Sequence, residues 1–181
     1  ASRTAGVDMF GLDMAREREI AITNVPRYSP NAIAELAVSH TMQLLRNVNR
    51  IRNAMSKGDF SWNKELISRE IRSCTVGIIG TGKIGLTTAQ LFKGLGAKII
   101  GYDKFRNPDA EGVLEYKDTV EELLKESDVV SLHLPLNDET YHLIDKEKID
   151  MMKKGAILIN TGRGALVNIE DVIDALESGK L

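Results

Sequence analysis

The sequence is poor in cysteine, proline and aromatic residues. Cys74 is the single cysteine among 181 residues, so no disulfide can form within the chain and no multi-cysteine metal site exists. A net charge of −2, from 24 Lys and Arg against 26 Asp and Glu, offers no attraction for nucleic acid or for an anionic membrane surface. These shortages favour a protein of the reducing cytoplasm without a metal, a nucleic-acid partner or a membrane.

Long apolar runs are also missing. Residues 156–159 form one of the longest runs, which is far below the roughly 20 residues that span a bilayer. With 43% hydrophobic and 28% charged residues, the composition is that of an ordinary globular protein. The length suits one full domain and part of another.

Strand-like and helix-like segments alternate over the last two thirds of the chain. The strand-like runs of Val, Ile and Leu cover residues 75–79, 98–102, 129–132 and 156–160, and the helical patterns cover residues 83–95, 119–125 and 169–177. Such alternation predicts an α/β fold with a doubly wound parallel sheet, and continuous apolar strands indicate helices on both of its faces.

The first third of the chain has a different pattern. Apolar residues at helical spacing between Ser29 and Gly58 predict one long helix whose stripe packs in the core or against a second subunit. Residues 20–25 resemble a short strand that ends at Pro26. We therefore expect residues 1–27 to belong to one domain and residues 28–181 to another.

A glycine motif, Gly80-Thr-Gly-Lys-Ile-Gly85, lies between the first apolar run and a helical pattern. In such a motif Gly80 allows the tight turn, Gly82 lets the backbone approach a pyrophosphate, and Gly85 lets the helix pack closely on the sheet. Asp103 ends the next apolar run, where an acid contacts a ribose. This pattern predicts a dinucleotide site.

Two other interpretations of the glycine motif remain open at this level. Residues 77–83 match the first seven positions of a Walker A loop, but Ile84 stands where that motif needs a Ser or Thr hydroxyl for magnesium. The motif could also be a purely structural turn.

A second motif, Asn160-Thr-Gly-Arg-Gly164, follows the last strand-like run. It therefore belongs at the carboxyl edge of the predicted sheet, where such folds bind ligands. The planar fork of Arg163 can pair with a carboxylate through two hydrogen bonds. An arginine that merely lies on the surface is the alternative.

The motifs together resemble the D-isomer-specific 2-hydroxyacid dehydrogenases, most closely their D-lactate dehydrogenase branch. The resemblance covers nearly the whole chain and includes residues 3–8, 24–35, 75–85, 102–108, 131–135 and 160–164. It implies a Rossmann-like nucleotide domain with NAD as cofactor, a piece of a substrate domain at the N-terminus, a homodimer, and a 2-keto or 2-hydroxy acid as substrate.

The resemblance also implies roles for individual residues. Arg163 matches the catalytic arginine that holds the substrate carboxylate. Ala5 and Gly6 match a loop that binds the same carboxylate, and Tyr28 matches a tyrosine of the substrate pocket. The implied cofactor contacts are Gly80, Gly82, Lys83, Ile84, Gly85, Asp103, Leu134, Pro135, Thr140, Thr161, Gly162 and Arg163.

The implied reaction is NAD-dependent reduction of pyruvate to D-lactate or of a related keto acid. The family's proton-donating glutamate and histidine match no residue up to Leu181, so the chain is expected to be catalytically incomplete. His40 and His142 are interpreted as structural, and His133 as structural or as a cofactor contact. A non-catalytic NAD-binding regulatory module of the same family is the alternative function.

Overall fold

A computed structural model describes residues 1–2, 6–7, 9–26 and 29–181, apart from the side chain of Glu65. The chain divides into two compact units, residues 1–30 and 31–181. Among the described residues of the first unit, Leu12–Glu17 form a short helix, α1. The amide of Ser2 donates to the carbonyl oxygen of Thr23 at 2.6 Å within the same unit.

The second unit is built around a five-stranded parallel sheet. Its strands are β1 (Thr75–Ile79), β2 (Lys98–Tyr102), β3 (Glu115–Tyr116), β4 (Val129–Leu132) and β5 (Ile157–Asn160), in the order β3-β2-β1-β4-β5. The chain moves outward from β1 through β2 to β3 and then returns to the other side of β1. This reversal between β1 and β4 is the position where doubly wound sheets bind ligands at their carboxyl edge.

Helices cover both faces of the sheet. The helices that follow α1 are α2 (Pro30–Leu45), α3 (Val48–Met55), α4 (Lys83–Gly94), α5 (Val120–Glu126), α6 (Lys146–Met151) and α7 (Ile169–Glu177), and α3 has no buried residue. Val76 and Ile78 of β1 belong to a core cluster with Phe92 of α4, whereas Ile79 belongs to a second cluster with Leu123 of α5. The alternation of β1 side chains between two apolar layers confirms the predicted doubly wound fold.

The predicted single long helix is wrong. The helix ends at Leu45, and α3 begins at Val48 after Asn47, which has a positive φ of 52°. Two tertiary contacts hold the break, because the Asn47 side chain donates to the Ile67 carbonyl at 3.2 Å and the Arg69 amide donates to the Leu45 carbonyl at 3.1 Å. Asparagine tolerates this left-handed conformation better than most residues.

The strand predicted at residues 20–25 is also wrong. These residues are all described and form no strand. Apolar alternation alone does not make a strand, because a strand needs a neighbouring strand to satisfy its backbone. Within the described ranges of the chain, no helix is both long and apolar enough to cross a membrane.

Candidate nucleotide site

The glycine loop joins β1 to α4 at the reversal point of the sheet. Gly80 has a φ of 93°, and a Cβ on it would lie 2.6 Å from the carbonyl oxygen of His133. A Cβ on Gly85 would lie 1.8 Å from the carbonyl oxygen of Gly80. Contacts inside the protein therefore require both glycines. Gly80 is required by the turn after β1, and Gly85 by the close packing of α4 on the loop.

Gly82 differs from these two glycines. Its φ of −64° suits any residue, and a Cβ placed on it would meet no atom within 4 Å. Nothing in the protein itself therefore requires a glycine at this position. The open space lies at the N-cap of α4, where a ligand's phosphates can approach the backbone.

The start of α4 is suited to an anion. Gly82 is the N-cap and supplies no side-chain acceptor to the first amides of the helix, which include those of Lys83 and Ile84. These amides and the positive end of the helix dipole favour a phosphate. Ile84 provides no hydroxyl for a magnesium ion, and this helix start therefore favours a dinucleotide over the Walker A interpretation.

Asp103 follows β2 and reaches back to the glycine loop. Its Oδ2 accepts the amide of Thr81 at 2.6 Å and the Thr81 hydroxyl at 3.2 Å, and its Oδ1 accepts the amide of Phe105 at 3.0 Å. The carboxylate is half-buried beside the loop. A carboxylate in this place can accept the hydroxyls of a ribose and repel an added phosphate.

Arg106 lies three residues after Asp103, and an arginine in this loop could bind an added phosphate. Its guanidinium lies 2.5 Å from Oδ1 of Asp118 and 5.3 Å from the centre of the Tyr116 ring. The charge of Arg106 is thereby paired with a carboxylate on the surface.

The segment after β4 lies against the glycine loop. The His133 amide donates to the Ile79 carbonyl at 2.8 Å, and His133 Nε2 lies 2.9 Å from Ser131 Oγ. Burial lowers the pKa of His133 to about 4, so the ring is neutral near neutral pH. Its protonated form is therefore too scarce there to serve as a proton donor.

Leu134 connects three parts of the site. Its Cδ2 lies 3.0 Å from the Cβ position of Gly80, and its carbonyl oxygen lies 3.6 Å from the Cβ position of Gly162. The ends of β1, β4 and β5 therefore converge. The loop after Pro135 is closed by Thr140, whose hydroxyl donates to the Pro135 carbonyl at 2.7 Å.

The loop after β5 is shaped by Asn160. Its side-chain oxygen accepts the Gly162 amide at 3.0 Å, and its side-chain nitrogen donates to the Arg163 carbonyl at 2.9 Å. This side chain holds the backbone of Arg163, which is exposed at the sheet edge. Residue-level reasoning did not identify Asn160 as a site residue, although its position directly after the strand was a usable signal.

Thr161 carries an unsatisfied polar atom at this edge. Within the part of the chain that the structure describes, its Oγ1 is the buried side-chain polar atom that lacks a hydrogen-bond partner. A buried hydroxyl without a partner is costly, and a bound ligand can remove that cost. Together with the space at Gly82, this atom shows that the residues present fit a dinucleotide.

The three predicted substrate residues are Ala5, Gly6 and Tyr28. Ala5 and Tyr28 lie outside the described residues, and Gly6 is described.

An apolar cleft of about 620 Å³ in the second unit is lined in part by Leu45, Ile67, Leu158 and Leu176. None of the glycine-loop residues lines this cleft. The cleft is therefore not the nucleotide site, although its volume is large enough for a ligand.

The fold and the glycine loop define a dinucleotide-binding protein of the Rossmann type. Residues 38–181 match the family model described as D-isomer specific 2-hydroxyacid dehydrogenase, NAD binding domain, and the chain belongs to this family. NAD is the cofactor of the family domain, as the sequence motifs predicted.

Similar proteins agree with this assignment. The chain is 54% identical to a D-2-hydroxyacid dehydrogenase (NAD(+)) of Clostridioides difficile and 49% identical to a D-lactate dehydrogenase of Staphylococcus aureus; each match covers all of this chain and 54% of the relative. A crystal structure of the NAD-complexed D-isomer specific 2-hydroxyacid dehydrogenase from Lactobacillus delbrueckii matches with a TM-score of 0.88 at 43% identity, over 99% of this chain and 54% of that one. The chain thus spans about half the length of these relatives.

Proposed function

We propose that the full-length protein is an NAD-dependent D-2-hydroxyacid dehydrogenase that reduces pyruvate to D-lactate. The observation that carries the proposal is the open space at Gly82, which lies at the N-terminus of α4 in the loop that Asp103 holds. The name of the Staphylococcus aureus relative supports D-lactate as the product. When bound, the reduced coenzyme NADH would supply the hydride that adds to C2 of the keto acid.

The residues of the second unit bind and orient the cofactor in this proposal. The amides of Lys83 and Ile84 meet the pyrophosphate, and Asp103 accepts the hydroxyls of the adenosine ribose. The other proposed cofactor contacts are Gly80, Gly82, Gly85, Leu134, Pro135, Thr140, Thr161, Gly162 and Arg163. The partnerless Thr161 hydroxyl supports a polar contact with the cofactor.

Arg163 is the proposed catalytic residue of this chain. Its guanidinium pairs with the substrate carboxylate and stabilises the negative charge that develops on the keto oxygen. Asn160 supports this role because it holds the Arg163 carbonyl at 2.9 Å. Ala5 and Gly6 contribute backbone amides to the substrate carboxylate, and Tyr28 lines the substrate pocket.

The proton donor is proposed to be a glutamate and histidine pair elsewhere in the full-length protein. His133 is disfavoured by its low pKa. His142 stacks on Tyr141 with ring centres 4.0 Å apart, and His40 lies in α2. His40 lies outside the loops that form the proposed cofactor site, and the ring of His142, two residues after Thr140, is held in its stack against Tyr141.

The exposed apolar side chains of α2 and α3 support a homodimer. Leu36, Leu44, Val48, Ile51 and Met55 are each more than a third exposed, while Ala37 and Leu45 of the same predicted stripe are buried. Covering such side chains in a symmetric contact would remove apolar surface from water. Light scattering at micromolar concentration should give the dimer mass, and a monomer mass would contradict the homodimer.

We also propose a cytoplasmic location for the protein. The support is the single cysteine, because proteins of a reducing compartment do not depend on disulfides.

A panel of keto acids tests the function. The full-length protein should oxidise NADH with pyruvate and should produce the D isomer of lactate, as judged by a chiral assay. Faster turnover with a branched 2-keto acid than with pyruvate would make the branched acid the assigned substrate and keep the protein in the family. NAD binding without turnover of any keto acid would support the regulatory module as the function. If the protein did not bind NADH at all, the proposed nucleotide site would be wrong.

A further inference from the structure

Three side chains and one backbone amide form a hydrogen-bonded row behind the glycine loop. Asn107 follows β2, Tyr116 lies in β3, Thr81 lies within the glycine loop, and Asp103 ends the row. Thr81 is almost completely buried, with 1% of its surface exposed. Neither Thr81 nor Tyr116 has a role in the proposed chemistry.

The direction of each hydrogen bond in the row follows from the available protons. The backbone amide of Asn107 donates to the Tyr116 hydroxyl oxygen at 2.8 Å. Tyr116 Oη and Thr81 Oγ1 are 2.7 Å apart, and Thr81 Oγ1 lies 3.2 Å from Asp103 Oδ2. An ionised carboxylate only accepts, so Thr81 gives its one proton to Asp103 and must accept the proton of Tyr116. All three bonds therefore run towards Asp103.

The row orients one side of the carboxylate. Oδ2 of Asp103 receives both the amide and the hydroxyl of Thr81, whereas Oδ1 receives one donor among the described residues, the Phe105 amide. Because a carboxylate oxygen can accept about two hydrogen bonds, Oδ1 keeps capacity for a ligand hydroxyl. Hydrogen bonds that point the same way also strengthen one another.

We propose that Tyr116 and Thr81 are positioning residues that enforce the choice of NAD over NADP by holding the Asp103 carboxylate. This inference rests on the proposed role of Asp103 at the adenosine ribose. A fixed carboxylate accepts the ribose hydroxyls and repels the 2′-phosphate of NADP. A carboxylate released from the row can turn away, which weakens NAD binding and relieves the repulsion.

The row could instead serve only the stability of the loop, because it also ties Asn107 to the Thr81 carbonyl at 2.9 Å. The two roles differ in what they change. Loss of a purely structural bond lowers the melting temperature and affects both coenzymes alike. Loss of a positioning bond changes the ratio of their affinities.

The test measures dissociation constants of NADH and NADPH by fluorescence titration of the full-length protein. Tyr116→Phe removes one hydroxyl and keeps the ring. It should lower the preference for NADH by about two- to tenfold, which corresponds to one hydrogen bond. The kcat at saturating NADH should stay unchanged while the KM for NADH rises. Both coenzymes are titrated on one preparation, so their ratio is insensitive to the folded fraction.

The second variant, Thr81→Val, tests whether Tyr116 acts on Asp103 through the Thr81 hydroxyl. It should lower the preference at least as much as Tyr116→Phe, and it replaces that variant if Tyr116→Phe does not fold. Because Tyr116 acts through the Thr81 hydroxyl, the double variant should match Thr81→Val alone. Tyr141→Phe is the matched control, since Tyr141 is 59% exposed and outside the row; its ratio should equal that of the unmodified protein.

The outcomes separate this proposal from the function on which it rests. An unchanged ratio in Tyr116→Phe or Thr81→Val, with or without a lower melting temperature, overturns the positioning role. Effects that multiply in the double variant overturn the relay through Thr81. If the unmodified protein binds neither coenzyme, the proposed function itself fails, and the inference falls with it.

Discussion

The carbonyl oxygen of Gly80 lies 1.8 Å from the position that a Cβ on Gly85 would occupy. Oxygen and carbon cannot approach so closely, and the obstacle is backbone that cannot rotate away. The turn after β1 and the first turn of α4 therefore remain in contact only while residue 85 is glycine. The same contact places the helix N-terminus at the sheet edge.

Gly85→Ala should therefore destabilise the protein. We expect a loss of about 1–3 kcal/mol in the free energy of unfolding, the usual range for overpacking, together with loss of NADH binding. Gly94→Ala in the same helix is the control, because a Cβ there meets nothing within 4 Å and should be neutral or slightly stabilising. Urea unfolding and NADH titration measure both effects; a Gly85→Ala protein of normal stability would contradict the close packing.

Gly82→Ala should leave stability nearly unchanged and still weaken NADH binding. The new methyl group meets no protein atom, but it occupies the space assigned to the pyrophosphate. We expect a rise of about tenfold or more in the dissociation constant, equivalent to about 1.4 kcal/mol. Calorimetric titration with a melting curve on the same sample separates the two quantities. A Gly82→Ala protein with normal NADH affinity would contradict the proposed position of the pyrophosphate.

Asp103→Ser should narrow the preference for NADH over NADPH. Serine removes the charge that repels the 2′-phosphate, and it loses the acceptor of the ribose hydroxyls. The ratio of the two kcat/KM values measures the change. Asp109→Ser is the control, since Asp109 is exposed in the neighbouring turn. Equal affinity of the unmodified protein for both coenzymes would contradict the role of Asp103.

Arg163→Lys should impair the chemistry more than cofactor binding. Lysine keeps the charge but loses the two-pronged geometry, so transition-state stabilisation should fall by at least about 2 kcal/mol in kcat/KM for the keto acid. The NADH dissociation constant should change much less. Arg72→Lys, on an exposed side chain paired with Glu70, serves as the control. Near-normal turnover of Arg163→Lys would refute the catalytic assignment.

Asp128 makes the stability of the sheet depend on pH. It accepts the Thr75 amide at 2.8 Å and lies 3.2 Å from both Arg69 and Lys153. Burial opposes its ionisation, but the Thr75 hydrogen bond and the two cations outweigh burial and lower its pKa below the ordinary 3.8. A lowered pKa means that its contribution is complete above pH 3.8 and disappears as the pH falls through the folded-state value.

Asp128→Asn should therefore cost about 1.5–3 kcal/mol of unfolding free energy near pH 7, the scale of a hydrogen bond to a charged group. The difference from the unmodified protein should persist down to about pH 5 and shrink below pH 3.8. Urea unfolding across this range measures it. Asp13→Asn is the control, because Asp13 is 96% exposed. A difference that does not depend on pH would show that the charge of Asp128 contributes nothing.

Local patterns determined most of the fold from the sequence alone. Three of the four predicted strands begin and end at the observed residues, and the glycine motif identified the turn between β1 and α4. These features depend on the spacing of apolar residues and on glycines needed within a few positions. Such requirements are visible in a short stretch of sequence.

Tertiary structure alone decided the rest. The break at Asn47 depends on bonds from Asn47 and Arg69 to partners about 20 positions away, so periodicity continued across it and misled the helix prediction. The two-residue β3 is too short to leave a pattern, yet it brings Tyr116 to Thr81, 35 positions apart. Contacts between residues so distant in sequence form only when the sheet assembles, because each strand needs its neighbours to satisfy its backbone and to bury its apolar side chains.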